Sequence, residues 1–405
     1  MVLSYLDSIS FGWAKADGRS HPLRERYRTL ADAQLIYPFA TNLEEEIDRC
    51  ALQKCINAAR VTYGGDPPAG KLVGISSGVY RLDRTLQVDS VRGLDFAGYG
   101  KSVKLEWWGP PDQPVFHLTD CNRCRFRDFD VVQPTGQPFT YGFLLRNGAK
   151  GITVPTACLF QDIAVAGGIH CWGIDRGMDA QGQGGGDQNN ECHLWNRCAC
   201  SGYSSSAFRV DAGQAHSLRF TDCEMRGTSG TTGLWCSYGS SVHWQGGTGG
   251  GHTDDFLFDD FVLVCSIKGW NSEGSERLCR VHQKGYTGAA ANVAFADCRW
   301  AGMPSASDTG IIIRVQNPGP LSIRNNLFVS DNDANPMVII GSLGGVGPVT
   351  VEHVGNTYKG KKRYIQSALL LPQSGWDVFD RCNKYLDPAI PGEHDDRWDA
   401  WRVDV

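Results

Sequence analysis

Two aspartates end short apolar runs in equivalent places: Asp175 closes WGID, and Asp211 follows AFRV. Similar runs are VFHL from 115, FLLR from 143, LWCS from 234, RVHQ from 280 and IIIRV from 311. Aligned on their last inward residue, they give an outward column of His117, Leu144, Gly173, Arg209, Trp235, Arg280 and Arg314. The adjoining column is Thr119, Arg146, Asp175, Asp211, Ser237, His282 and Gln316. Carboxylates about 5 Å apart suit glycosidic cleavage with retention, and pairs roughly 6.5–9.5 Å apart suit inversion. Asp175 with Asp211 could meet the first spacing, and Asp179 or Asp187, from the glycine-rich stretch Gly177 to His193, could serve the second. Elimination would instead need a base and a cation beside an acidic sugar, roles open to Arg209, His243 and Arg280. Arg146, Arg209, Trp235, Arg280, His282 and His243 are therefore the candidate ligand-binding residues, with Trp235 suited to stacking on a sugar ring. The competing reading is a solvated polar face on which Asp residues merely end strands.

Such columns stay in register only on a repeating scaffold, and the chain carries one. FTDCEMRG from Phe220 returns as FADCRWAG from Phe295, and the frame recurs as FRDFDVV (Phe126), FQDIAVAG (Phe160), LWNRCACSG (Leu194), FDDFVLV (Phe258), IRNNLFVS (Ile323) and VEHVGN (Val351). Except at His353, an apolar residue is followed two positions later by Asp or Asn, the non-glycine residues that best tolerate the left-handed backbone. The pattern predicts sharp bends at Asp128, Asp162, Asn196, Asp222, Asp260, Asp297 and Asn325. Strand, turn, strand, bend, strand and loop together make one rung of a right-handed parallel β-helix, an all-β solenoid with three strands per rung. A β-sandwich would explain the density of strands but not a bend recurring in one frame.

Around this coil the sequence predicts three segments. Residues 1–40 read as an amino-terminal arm or attachment segment. Residues 41–375 hold a helix over 41–60, opened by a Thr41–Glu44 capping box, and then the coil. The helix would cover the open first rung. Residues 376–405, with Trp376, Phe379, Tyr385, Trp398 and Trp401, read as a cap or subunit contact. HWQGGTGGGHTDD, from His243 to Asp255, reads as an insertion.

Charge and composition exclude several classes. With 39 basic and 44 acidic residues and no long run of one sign, a sequence-blind nucleic-acid partner is not expected. No stretch approaches eighteen consecutive apolar residues, so no membrane span is expected, and MVLSYLDSIS lacks the regions of a signal peptide. Synthesis in the cytoplasm is the expectation. Fifteen cysteines agree with a reducing compartment. Cys121 with Cys124, and Cys192, His193, Cys198 and Cys200, have spacings that raise zinc, but no second CxxC completes a site. Buried thiols are the better reading, and no metal or cofactor is expected.

A family resemblance follows from ALQKCINAA (from Ala51), LVGISSGVYRLDRTLQV (from Leu72) and GLDFAGYGKS (from Gly93). This order of helix, strand, glycine-marked turn, tyrosine-bearing strand and GxG loop resembles the opening of the pectate-lyase-like superfamily of right-handed β-helix proteins. Ser76, Ser77 and Gly78 stand where that family usually has Pro-x-Gly, a difference confined to the turn. The resemblance implies a polysaccharide-binding and polysaccharide-cleaving protein of bacteriophage tailspike type, either a glycoside hydrolase or a polysaccharide lyase. It also implies a homotrimer, a place on a virion, and contact with a phage tail or baseplate protein through the amino-terminal arm. The alternatives are a non-catalytic structural β-helix and a stand-alone lyase or hydrolase.

Overall fold

The computed structural model describes residues 5–7, 14–59, 72–134, 136–146, 157–175, 190–212, 215–238, 241–259, 263–283, 291–302, 310–315, 318–330, 338–342, 349–359, 365–367 and 376–386. Met1–Ser204 and Ser205–Val405 form two compact units, and both are built of three parallel stacks of short strands. In the first unit the first stack is Leu86–Asp89, Phe116–Thr119, Tyr141–Arg146 and His170–Asp175. The second begins with Tyr5–Asp7, Leu72–Ile75 and Asp95–Gly98, the third with Gly78–Leu82 and Val103–Trp107. Arg125–Val132 and Leu159–Ala166 serve both, because each runs on through its bend.

The bends are left-handed single residues, as the repeat requires. Asp128 and Asp162 have φ of 64° and 52°. In the following rung the residue is Arg197, at 51°, and not Asn196. Trp195 pairs with Phe160 and Asn196 with Gln161, which sets Arg197 beside Asp162. There its guanidinium donates to both oxygens of the Asp162 carboxylate, at 2.7 and 2.6 Å, so a residue without local turn chemistry is held by its neighbour.

In the second unit the bend residues form one ladder: Asp222, Gly246, Gly269, Asp297, Asn325, Gly355 and Cys382 all have positive φ. Successive members sit on neighbouring rungs, with the N–H of Asp222 donating to Gln245 O at 2.8 Å, Gly246 to Lys268 O at 2.8 Å and Gly269 to Ala296 O at 2.9 Å. Two expectations change here. The stretch 243–255 is no insertion but part of a full rung, with strands Ser241–Gln245 and Thr248–Gly250 leading into Asp254–Asp259. Its glycines are steric necessities: a Cβ at Gly247 would lie 2.1 Å from Cys223 O, and one at Gly250 1.7 Å from Glu273 O. Asp254–Asp259 accordingly belongs to the first stack, between Thr232–Tyr238 and Arg277–Gln283, while Asp260 lies outside the described residues.

The interior is filled by aligned aromatic side chains. Phe126 stacks on Phe160 at 5.5 Å and Phe160 on Trp195 at 5.4 Å, while Phe116, Phe143 and Trp172 stack at 4.6 and 4.2 Å. Each such side chain stabilises by about 1.5–3 kcal/mol through burial. Inward corner positions are held by thiols: Cys121 donates to Val88 O at 3.2 Å, Cys124 to Val91 O at 3.3 Å and Cys198 to Phe160 O at 3.5 Å. Further along, asparagines succeed the cysteines. Asn326 Oδ1 accepts from the Cys298 N–H at 2.9 Å, Asn356 Oδ1 from Asn326 N at 3.0 Å, and Asn383 Oδ1 from Asn356 N at 2.8 Å.

The covering helix is Ile47–Ala59, shorter at its start than the 41–60 expected. Thr41 bonds Glu45, not Glu44: the Glu45 carboxylate accepts from Thr41 N and Oγ1, both at 2.7 Å. A capping box of Thr29 and Asp32 instead opens a preceding helix, Leu30–Ile36. Ala51, Leu52, Cys55 and Ile56 are buried. Leu23, Ala33, Tyr37 and Ala40 pack in one cluster with Ile47 and Cys50, so residues of the expected arm join the helix's own core. At the other end Trp376–Arg381 and Lys384–Leu386 pair with Val349–Val354 and Thr357–Lys359, adding a rung where a cap is expected.

Candidate functional site

On the first unit the outward face of the first stack carries two rows. Gln87, His117, Leu144 and Gly173 are in register, and beside them run Asp89, Thr119, Arg146 and Asp175. Arg146 donates from Nη2 to Asp175 Oδ2, a cross-strand ion pair in which both side chains are about one-third exposed. His117 lies close by. Burial, then the positive charge of Arg146, hold its imidazole below the ordinary histidine value, against Asp175 and Asp89, which raise it. Arg146 Nε and His117 Nε2 are buried with no hydrogen-bond partner. Asp179 and Asp187 lie outside the described residues.

The corresponding face of the second unit aligns Arg209, Trp235, Leu257, Arg280 and Ile312. The Arg209 guanidinium lies over the Trp235 ring at 3.5 Å from its centre, a cation–π contact. Asp211 Oδ1 accepts from Ser237 Oγ at 3.1 Å, across a register slip that sets Asp211 opposite Tyr238. Arg280 is fixed from below by Asp254, whose Oδ2 accepts from Arg280 Nη2 at 2.8 Å and from Arg277 Nη2 at 3.2 Å. Asp254 is 1% exposed, so it sets the direction of Arg280 rather than meeting a ligand. Trp235 Nε1 and Arg280 Nε are again buried without a partner.

Three expectations about this face change. Arg280 stands beside Ile312, and His282 opposite Arg314, because pairing runs one residue pair out of the expected alignment. Leu257 and Asp259 enter the rows from the strand read as a bend segment. His243 is on the second stack, exposed and in register with Arg219 and Ser266, and so does not share a face with Arg209 and Arg280. Asp254 and Arg277 had no signal in the sequence, since their pairing depends on knowing that Asp254–Asp259 is a first-stack strand. His117 is in the outward column, but nothing local distinguishes it from a surface histidine.

These stacks define a right-handed parallel β-helix. Solved structures with similar coordinates include the mannuronan C-5 epimerase A-module of Azotobacter vinelandii, at 15% identity over 95% of this chain and 97% of that one, TM-score 0.52. The surface protein and adhesin of Streptococcus pneumoniae matches at 10% identity over 95% and 97%, TM-score 0.51. A tailspike protein of Pseudomonas phage LKA1 aligns at 12% identity over 94% and 81%, TM-score 0.47. No family model matches the chain, and no curated protein does. The resemblance read from residues 51–102 thus holds at the level of fold.

Proposed function

We propose that this protein binds and cleaves an extended polysaccharide laid along the outward faces of its first-stack strands. The observation that carries the reading is on the second unit: the half-buried Trp235 ring, with the Arg209 guanidinium 3.5 Å from its centre, stands in one row with the half-buried Arg280. A glycan offers hydroxyl acceptors beside apolar ring faces, which an indole flanked by guanidinium groups suits. Asp211 is the carboxylate we assign to catalysis on this unit, and Asp175 on the first, with Asp179 and Asp187 as further candidates. The named activities of two fold relatives, epimerisation of mannuronan and adhesion, are consistent with glycan or surface binding without fixing the reaction.

The test is a panel of capsular, O-antigen and plant polysaccharides, read for binding, for new reducing ends and for the ultraviolet absorbance of unsaturated products. Trp235→Ala is expected to weaken binding of the responsive glycan about 10- to 100-fold while leaving the melting temperature unchanged. Cleavage that survives both Asp175→Asn and Asp211→Asn would move catalysis elsewhere. Binding without cleavage would favour the structural β-helix alternative.

The tailspike-type placement, with the chain on a virion as a homotrimer joined to a tail or baseplate protein, rests on the resemblance of the amino-terminal signature. Light scattering at micromolar concentration should then give the mass of three chains. The mass of a single chain would remove the trimer and favour a stand-alone lyase or hydrolase.

A further inference from the structure

We infer that Arg209 is a displaceable cover on Trp235, and that a sugar ring stacks on that indole only after the guanidinium has left it. This deepens the polysaccharide reading and rests on it. The Arg209 guanidinium carbon lies 3.5 Å from the centre of the half-buried Trp235 ring, a face-on contact at van der Waals distance. A pyranose laid on the same face needs the same place, since its C–H groups also settle about 3.5–4 Å above the ring. The two cannot occupy it together.

The opposite side of the indole offers no substitute. Trp235 stands in register between Arg209 on the preceding rung and Leu257 on the following one. In-register strands lie only about 4.8 Å apart. Leu257 is 6% exposed although its position in the row is outward, so the side chains flanking it, Trp235 and Arg280, cover it. The indole is therefore bounded by a leucine on one side and a guanidinium on the other, and only the guanidinium gains by returning to water.

Arg280, on the same row, is unsuited to such movement, because the buried Asp254 accepts from its Nη2 at 2.8 Å. Arg209 has a second resting place instead. Asp211 is two residues further along the same strand, half-buried and on the same face, about 7 Å away along the backbone, a span that a guanidinium crosses. The side chain thus has two seats: the indole when the site is empty, and the Asp211 carboxylate when a sugar has taken the indole. A partly exposed cation–π contact is weak enough for binding to break it, yet it lowers the apparent affinity by the fraction of molecules in which the indole is open. Removing the guanidinium therefore tightens binding, the reverse of what a ligand-contacting arginine shows.

Two measurements on the full chain test this. Acrylamide, a small neutral quencher, reports access to the indole face. Because the chain has 12 tryptophans, the Trp235 contribution is taken as the difference between a protein and its Trp235→Phe form. That contribution should be quenched more in Arg209→Ala than in the parent. Titration calorimetry with cellohexaose, maltohexaose and the polysaccharides of the panel above should then show Arg209→Ala binding the responsive glycan about two- to fivefold more tightly. No gain is expected when Trp235→Ala is already present. Arg209→Gln, which keeps the aliphatic stem and ends uncharged, should tighten binding in the same direction and serves where the alanine variant does not fold. Unchanged or weaker binding in both Arg209 variants overturns the cover while leaving the polysaccharide reading standing, and so does a gain that persists without Trp235, or quenching equal to the parent's. No binding of any glycan by the parent or by either variant overturns both.

Discussion

Gln53→Leu is expected to lower the unfolding free energy by about 2–5 kcal/mol and to expose the first rung to exchange and self-association. Leu86–Asp89 is the opening strand of the first stack in the first unit, and on its open side no strand pairs with it among the described residues. The helix Ile47–Ala59 supplies the missing partner through a side chain. Gln53 Nε2 donates to Gln87 O at 2.8 Å, and Gln53 Oε1 accepts from Gln87 N at 2.8 Å, so one carboxamide imitates the backbone of a neighbouring strand. Asp48 does similar service, accepting from the N–H groups of Lys15 at 2.6 Å, Ala16 at 3.1 Å and Arg81 at 3.2 Å. Leucine fills the volume of Gln53 but leaves the N–H and C=O of Gln87 without the partner that the carboxamide supplies. Gln53→Glu sets a carboxylate oxygen against Gln87 O in place of the donor and should destabilise as well. The checks are the urea midpoint and hydrogen exchange at the Gln87 amide; a midpoint and protection equal to those of the parent would show that apolar packing alone holds the cap.

What the sequence made legible was the part of the repeat written in distinctive residues. Asp128, Asp162, Asp222, Asp297 and Asn325 all take the left-handed bend that their spacing predicts. The rungs bent at Gly246, Gly269 and Gly355 were illegible because glycine does the same task with no side chain to mark it, and a run of glycines reads as a loop. That one ambiguity spread. Reading 243–255 as an insertion removes Asp254–Asp259 from the first stack, sets Arg280 beside Arg314 in place of Ile312, and leaves the clamp of Asp254 on Arg277 and Arg280 without a basis. The outward rows themselves were legible where consecutive strands had clear apolar ends, as for Leu118, Leu145 and Ile174, whose pairing carries Arg146 to Asp175. The partial burial of His117 was not, since no local pattern encodes it.

The same rung holds the side chain whose loss should be most costly. Asp255 is fully buried, and it receives three donors: Ser275 Oγ at 2.6 Å and His252 Nδ1 at 2.6 Å on Oδ1, and Trp270 Nε1 at 3.0 Å on Oδ2. A carboxylate can only accept, so the Nδ1 of His252 must carry its proton toward it. Ser275 also receives the His252 N–H at 3.2 Å, closing a network that joins the corner before Asp254–Asp259 to the next rung. Packing there is tight, because a Cβ on Gly227 would fall 2.1 Å from His252 Cδ2. Asp255→Leu would strand three buried donors at about 1–3 kcal/mol each, so a loss of roughly 3–9 kcal/mol, or failure to fold, is expected. Asp255→Asn is the sharper probe: it nearly conserves volume but turns an NH₂ toward one of the donors, and should still cost about 2–4 kcal/mol. In a solenoid the damage falls first on the neighbouring rungs. Asp254 lies beside Asp255 on the same strand and Arg280 on the next rung, so a glycan-binding defect should accompany the lower urea midpoint of Asp255→Asn. An Asn variant with the parent's midpoint would mean that the network tolerates a fourth donor and that the charge at Asp255 is not what holds this corner.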